Sequence, residues 1–99
     1  MLNINKTIED KKALIALEGR LDTVTAPALE AQLSELIPDI EELVLDFEQL
    51  EYISSAGLRV LLSAQKIMSK KGGMKLVHVN EVIMEVFEVT GFIDILTIE

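Results

Sequence analysis

Apolar and polar positions along this chain switch between two periods. "KKALIALEG" carries an apolar run at Ala13–Leu17 that stops at Gly19, which predicts a buried strand. An earlier strand that includes Leu2 and Ile4 is expected to pair with it. In "LDTVTAPALEAQLSELIPD" the period changes. Leu29, Leu33, Leu36 and Ile37 recur at helical spacing, Thr25 is placed to cap the start, Pro27 suits the first turn, and Pro38 ends the helix. The short run Leu43–Phe47 predicts a central strand. "SSAGLRVLLSAQKIMSKKGG" predicts the longest helix, over residues 55–71. Leu58, Leu61, Leu62 and Met68 form its apolar face, and Arg59, Ser63, Lys66 and Lys70 its polar stripe. Lys70 and Lys71 suit the negative end of the helix dipole, and Gly72 offers a left-handed stop. "MKLVHV" reads as another strand. Asn80 can cap a third helix, "EVIMEVFEVT", which Gly91 closes, and "FIDILTIE" alternates as a last strand with Ile93 and Ile95 on one face.

Strands alternating with helices imply an α/β fold, with a mainly parallel or mixed sheet covered by helices. The length of 99 residues fits one domain, residues 1–99. In such sheets, sites collect where strand C-terminal ends lead into helices. "EYISSAGLRVLLSAQ" puts two hydroxyls, Ser54 and Ser55, at one of these junctions.

Composition narrows the function classes. No cysteine is present, so disulfides and thiolate metal sites are excluded. No apolar run approaches the length of a membrane span. "MLNINKTIED" has no basic region followed by an apolar core, so no secretory signal is read and the cytoplasm is the expected location. The net charge of −8 disfavours nucleic-acid backbone and anionic membrane as partners and suits a partner with a basic patch. Solubility alone also explains it. Four aromatic residues offer little for stacking on bases. The sequence does not specify an oligomeric state, and a monomer is the default.

Enzymatic chemistry finds little support. His78, the only histidine, lies in an apolar stretch and reads as structural or merely exposed. There is no G-x-S-x-G elbow, phosphate-binding loop or dinucleotide fingerprint, so no catalytic residue and no cofactor is expected. Asp22 and Asp46 stand at loop or strand-end positions. Two carboxylates can bind a cation, but turn-forming or solvated roles suit residues so far apart in sequence better, and no metal is expected. The serines have a structural role open to them, because one can accept a hydrogen bond from a first-turn N–H and cap the helix. One cap needs one serine. Ala56 and Gly57 remove bulk beside the hydroxyls, and a helix start exposes N–H groups able to hold a phosphate.

"LEGRLDTVTAPAL", "LVLDFEQLEYISSAGLRVLLSAQK" and "GGMKLVHVNEVIMEVFEVTGFIDIL" together resemble the STAS domain of bacterial anti-sigma-factor antagonists, in the right order over nearly the whole chain. The resemblance implies a single STAS-like domain: a mixed, mostly parallel sheet of four to five strands with helices packed mainly on one side. It implies a partner, an anti-sigma factor that is often also a serine kinase. Binding releases the sigma factor, and phosphorylation of one serine at the start of the second main helix ends the binding. The family pattern there reads Asp-Ser-Ser/Thr-Gly-Leu. Aligned on Gly57 and Leu58, the phosphate acceptor falls on Ser55, Ser54 takes the Asp position and Ala56 the second hydroxyl position. Asp22, in "GRLD", matches an acidic residue of the family's first motif loop. The implied partner-binding residues are therefore Asp22, Ser54, Ser55, Ala56, Gly57 and Arg59, with Ser55 both capping the helix and acting as the switch. The alternative is a STAS accessory subunit of a transport or lipid-trafficking assembly, or another interaction module without a switch.

Overall fold

The computed structural model describes every residue, Met1–Glu99. Strands β1 (Leu2–Glu9) and β2 (Lys12–Leu21) form an antiparallel hairpin, and α1 (Ala26–Leu36) leads to β3 (Glu42–Ile53). Helix α2 (Ser55–Met68), strand β4 (Met74–Val77) and helix α3 (Glu81–Thr90) follow. The sheet order is β1-β2-β3-β4, with β2, β3 and β4 mutually parallel, so the sheet is mixed and mostly parallel as expected.

The apolar positions of the strands explain the one-sided layering. Ala13, Ile15 and Leu17 of β2, Leu43, Leu45 and Phe47 of β3, and Met74 and Leu76 of β4 are all buried in one core. The helices cover that face with Leu29 and Leu33 of α1, Leu58, Leu61 and Met68 of α2, and Ile83 and Phe87 of α3. Phe87 meets Phe47 with ring centroids 6.3 Å apart, which ties α3 to the sheet. On the other face, Asn3, Asn5, Thr7, Leu14 and Glu18 are exposed. Leu62 is only partly buried, and Val60 and Ala64 complete the inner face of α2 instead.

Strand β3 is longer than its apolar run suggests. It continues to Ile53, pairing with β2 along both halves but with β4 only over Leu43–Asp46. Beyond β4, the Asn80 side chain donates to the Leu50 carbonyl at 2.9 Å while its oxygen accepts from Ile83 N–H at 2.9 Å. One residue therefore caps α3 and satisfies part of the free strand edge.

Three local expectations are corrected. Residues 92–99 do not form a strand. Gly91 turns left-handed (φ 83), Phe92–Asp94 form a 3-10 turn, and only the bridge Leu76–Ile98 remains of the pairing. Leu96, rather than Ile93 or Ile95, is the buried residue there. Helix α2 stops at Met68, and the left-handed residue after it is Gly73 (φ 103), not Gly72. Gly72 is needed for a different reason: a Cβ there would run into the Glu41 carbonyl, to which Gly72 N–H donates at 2.7 Å. His78 lies one residue past β4, with φ 58.

Candidate functional site

Strands β2 and β3 are parallel and end side by side, Leu21 opposite Ile53, so the loops that follow them meet. Ser54 N–H donates to the Leu21 carbonyl at 2.9 Å and joins the two loops directly. The fold thus brings Asp22 together with the Ser54–Gly57 segment, which are far apart in sequence.

In the β2–α1 loop, Asp22 Oδ1 accepts from the N–H groups of Val24 and Thr25, each at 3.0 Å. These bonds, led by that from Thr25 N–H, hold the Asp22 carboxyl below its usual pKa, so it is ionised at neutral pH. Thr25 does not cap α1 through its side chain. Its hydroxyl turns back, accepting from Asp22 N–H at 2.9 Å and donating to the Arg20 carbonyl at 2.8 Å. The carboxylate one turn earlier competes for this hydroxyl, and Asp22 with Thr25 makes a closed, rigid loop.

At the β3–α2 junction the two serines divide the roles differently from expectation. Ser54 is the cap: its backbone is extended, and its Oγ accepts from Gly57 N–H at 3.4 Å. The Ser54 carbonyl accepts from Leu58 N–H at 3.0 Å. Ser55 is the first helical residue, exposed, and its hydroxyl makes no hydrogen bond within the chain. A side chain at this position projects away from the first-turn N–H groups that a cap must reach, which is why the preceding residue caps. Gly57 does not open the site to the outside. It is buried, and a Cβ there would lie 2.7 Å from Leu21 Cγ and 2.9 Å from Ile53 Cγ1. Its smallness lets α2 sit down on the ends of both strands. Ala56 is half-buried beside it, and Arg59 is exposed one turn along from Ser55.

Arg20 and Tyr52 belong to the same surface and were not singled out from sequence. They pair across β2 and β3, and the guanidinium lies 4.3 Å from the centre of the Tyr52 ring. Arg20 Nε also stands 3.8 Å from Asp22 Oδ2. The readable signal was the spacing in "GRLD": residues two apart on a strand share a face. Val24, at the loop tip, is 85% exposed, an apolar side chain with no packing role in this chain.

Asp46 does not join Asp22 in a cation site. It sits opposite Ala16, well before the strand ends, and its Oδ1 is 2.9 Å from His78 Nδ1. Burial pushes the Asp46 carboxyl up, but the Glu48 N–H and His78 outweigh it, and the net shift is downward. The hydrogen bond to Asp46 raises the His78 pKa.

The family description "Mlab, STAS domain" matches residues 4–97, and the chain belongs to the STAS family. Among its relatives, BtrV of Bordetella bronchiseptica, a candidate anti-sigma factor antagonist, is 39% identical over 88 residues, covering 87% of this chain and 76% of that protein. The anti-sigma-B factor antagonist of Bacillus subtilis is 29% identical over 100 residues, covering 98% of this chain and 92% of that protein. Among solved structures, the anti-sigma factor antagonist SpoIIAA superposes in its unphosphorylated form with a TM-score of 0.76 at 18% identity, over 100% of this chain and 87% of that one. Its phosphorylated form gives 0.75 at 19% identity, over 100% and 91%. No helix of the chain is long and apolar enough to cross a membrane.

Proposed function

We propose that this chain is an anti-sigma-factor antagonist, which binds an anti-sigma factor in its unmodified state and is switched off by phosphorylation of Ser55. The observation that carries the reading is the division of labour at the start of α2: Ser54 caps the helix, leaving the Ser55 hydroxyl exposed and uncommitted. The names of the relatives supply the partner class, and a structural neighbour known in both phosphorylation states supports the switch. The partner acts as a serine kinase: Ser55 Oγ attacks the γ-phosphorus of ATP, ADP leaves, and the hydroxyl proton passes to a base of the kinase. The product sits at a helix N-terminus where Gly57 and Leu58 N–H are already bonded to Ser54, while those of Ser55 and Ala56 have no acceptor in the chain. Arg59 is within one turn.

The unmodified docking surface is Asp22, Ser54, Ser55, Ala56 and Arg59, extended by Val24 and the Arg20–Tyr52 pair, with Gly57 buried beneath it and seating the start of α2. Phosphorylation adds about −1.5 to −2 charges to a contact that must be desolvated, and binding is lost there. A cytoplasmic setting follows from the role. The test is incubation with the cognate kinase and ATP, followed by site-mapping mass spectrometry. Phosphate is expected on Ser55 alone, Ser55→Ala should bind constitutively, and Ser55→Asp should bind weakly. Phosphate on Ser54 only, or on neither serine, overturns the switch and favours an accessory-subunit role.

A further inference from the structure

Between α1 and α2 runs a groove of about 640 Å³, within the size range of small-ligand sites. Leu33, Ile37, Val60 and Ala64 form its buried floor. Ile67 lines it while remaining 51% exposed, an apolar surface that packing of this chain leaves uncovered. Lys70 and Lys71 close one end. Lys71 Nζ is held there by the Ile37 carbonyl, which accepts from it at 2.6 Å, and two of its N–H donors are left over. The ion pairs of the chain use Arg20, Lys75 and His78, so neither lysine has a carboxylate partner. The one acid on the lining, Glu30, sits in the middle of α1, about two turns before Ile37, and so lies away from the lysine end. Closing off the helix dipole accounts for the lysines alone, but not for an apolar trough that leads to them.

We propose that this groove binds a single-chain anionic amphiphile, with its aliphatic tail along Val60 and Ile67 and its carboxylate at Lys70 and Lys71. Charge decides the occupant. A polyanionic partner meets the repulsion of a chain carrying −8, whereas a monoanion meets it once and finds two unpaired cations. Glu30 sets the direction, head toward the lysines. The site lies toward the end of α2 opposite Ser55 and does not depend on the phosphorylation reading.

The test is a titration of the ¹⁵N-labelled protein with monomeric decanoate, with decyltrimethylammonium as the same tail under the opposite charge. Decanoate should give saturable shifts at Ala31, Ser34, Ala64, Ile67 and Lys70, and should bind more tightly than the cation although net charge alone orders them the other way. Lys70→Gln should weaken decanoate by up to about fivefold, the scale of one exposed ion pair. Ser63→Phe, a change at an exposed position on the rim, should fill the groove and weaken both probes by at least about tenfold, equivalent to 1.4 kcal/mol. Its amide spectrum away from the groove reports whether it still folds. Absence of saturable shifts with the wild-type protein, tighter binding of the cation, or sedimentation of the protein with phosphatidylglycerol vesicles instead of binding to free decanoate overturns the proposal.

Discussion

Replacing Gly57 by Ala separates two effects of opposite sign. In an open helix position the change stabilises by about 0.8–1 kcal/mol, because glycine is the poorer helix former. Here the new methyl would lie 2.7 Å from Leu21 Cγ and 2.9 Å from Ile53 Cγ1. Neither atom is the free end of a side chain, and Leu21 and Ile53 are 0% and 4% exposed, so neither can swing out of the way. Inserting a methyl into such packing costs about 1–3 kcal/mol. The net expectation is a loss of about 0–2 kcal/mol, centred near 1. For a domain of this size that lowers the midpoint of thermal unfolding by roughly 4–8 °C. Urea and thermal melts of the two proteins give the number. The same substitution placed over Leu21→Ala should cost less, because one of the two clashes has been removed. Leu21 is followed by Asp22, so amide shifts at Val24 and Thr25 should accompany the stability loss. If Gly57→Ala raises stability by about 1 kcal/mol, as at an unpacked helix position, the close approach of α2 to the strand ends is refuted.

The serines should respond unequally to alanine. Ser54→Ala should cost stability toward the low end of about 0.5–2 kcal/mol, because the cap bond it removes is long, and Ser55→Ala should be neutral or slightly stabilising in the same urea melts. The reverse order would put the cap on Ser55. His78 should make stability depend on pH. Its folded pKa is raised above 6.5, so the stabilisation it contributes is complete below 6.5 and is lost as pH rises through the folded value. Asp46, lowered from 3.8, contributes above 3.8 and loses its contribution as pH falls through its depressed value. His78→Gln should flatten the alkaline limb in a series of melts across pH, and an unchanged slope would mean the pair has no weight.

Much of this arrangement is legible in the sequence, and what is not has definite physical causes. Elements with a strong period and a good stop were readable: α1 through Leu29, Leu33 and Leu36, and α3 through Asn80 and Gly91. The tail "FIDILTIE" alternates, but alternation does not record that Gly91 sends the chain into a 3-10 turn, nor that β4 is only four residues long and offers little edge to pair with. The two glycines after α2 look interchangeable, and which one turns left-handed depends on the Glu41 carbonyl, a contact remote in sequence. At the site, the switch from strand to helix period located Ser54, Ser55 and Gly57 at the junction of β3 and α2. Local rules could not decide which serine caps or which way Gly57 points, because both follow from where Leu21 lies. Arg20 and Tyr52 were missed because their contact exists only through the β2–β3 register.

That division between the serines bears on how a switch at this point works. A phosphate on a capping hydroxyl would alter the helix itself, and loss of binding could then reflect local unfolding. Ser54 holds the cap and is joined to Leu21, so a phosphate on Ser55 leaves those bonds in place. Two terms remain for fold stability. The helix dipole favours the added charge by about 0.3–1 kcal/mol at an exposed first turn. Against it stands like-charge repulsion, from the ionised Asp22 of the adjoining loop and from the rest of a chain already at −8. Repulsion from distant carboxylates is screened beyond about 8–10 Å at ordinary salt, whereas the dipole acts within the first turn and Arg59, one turn along, opposes Asp22, so the favourable local terms win or the two sides cancel. The phosphorylated protein should therefore melt at the temperature of the unmodified one or slightly above it, while its affinity for the partner falls. Calorimetry on both forms at about 0.15 M salt checks this. A phosphorylated form that melts more than about 8 °C lower, the scale of 1–2 kcal/mol here, would place the action of the phosphate in the fold rather than at the interface.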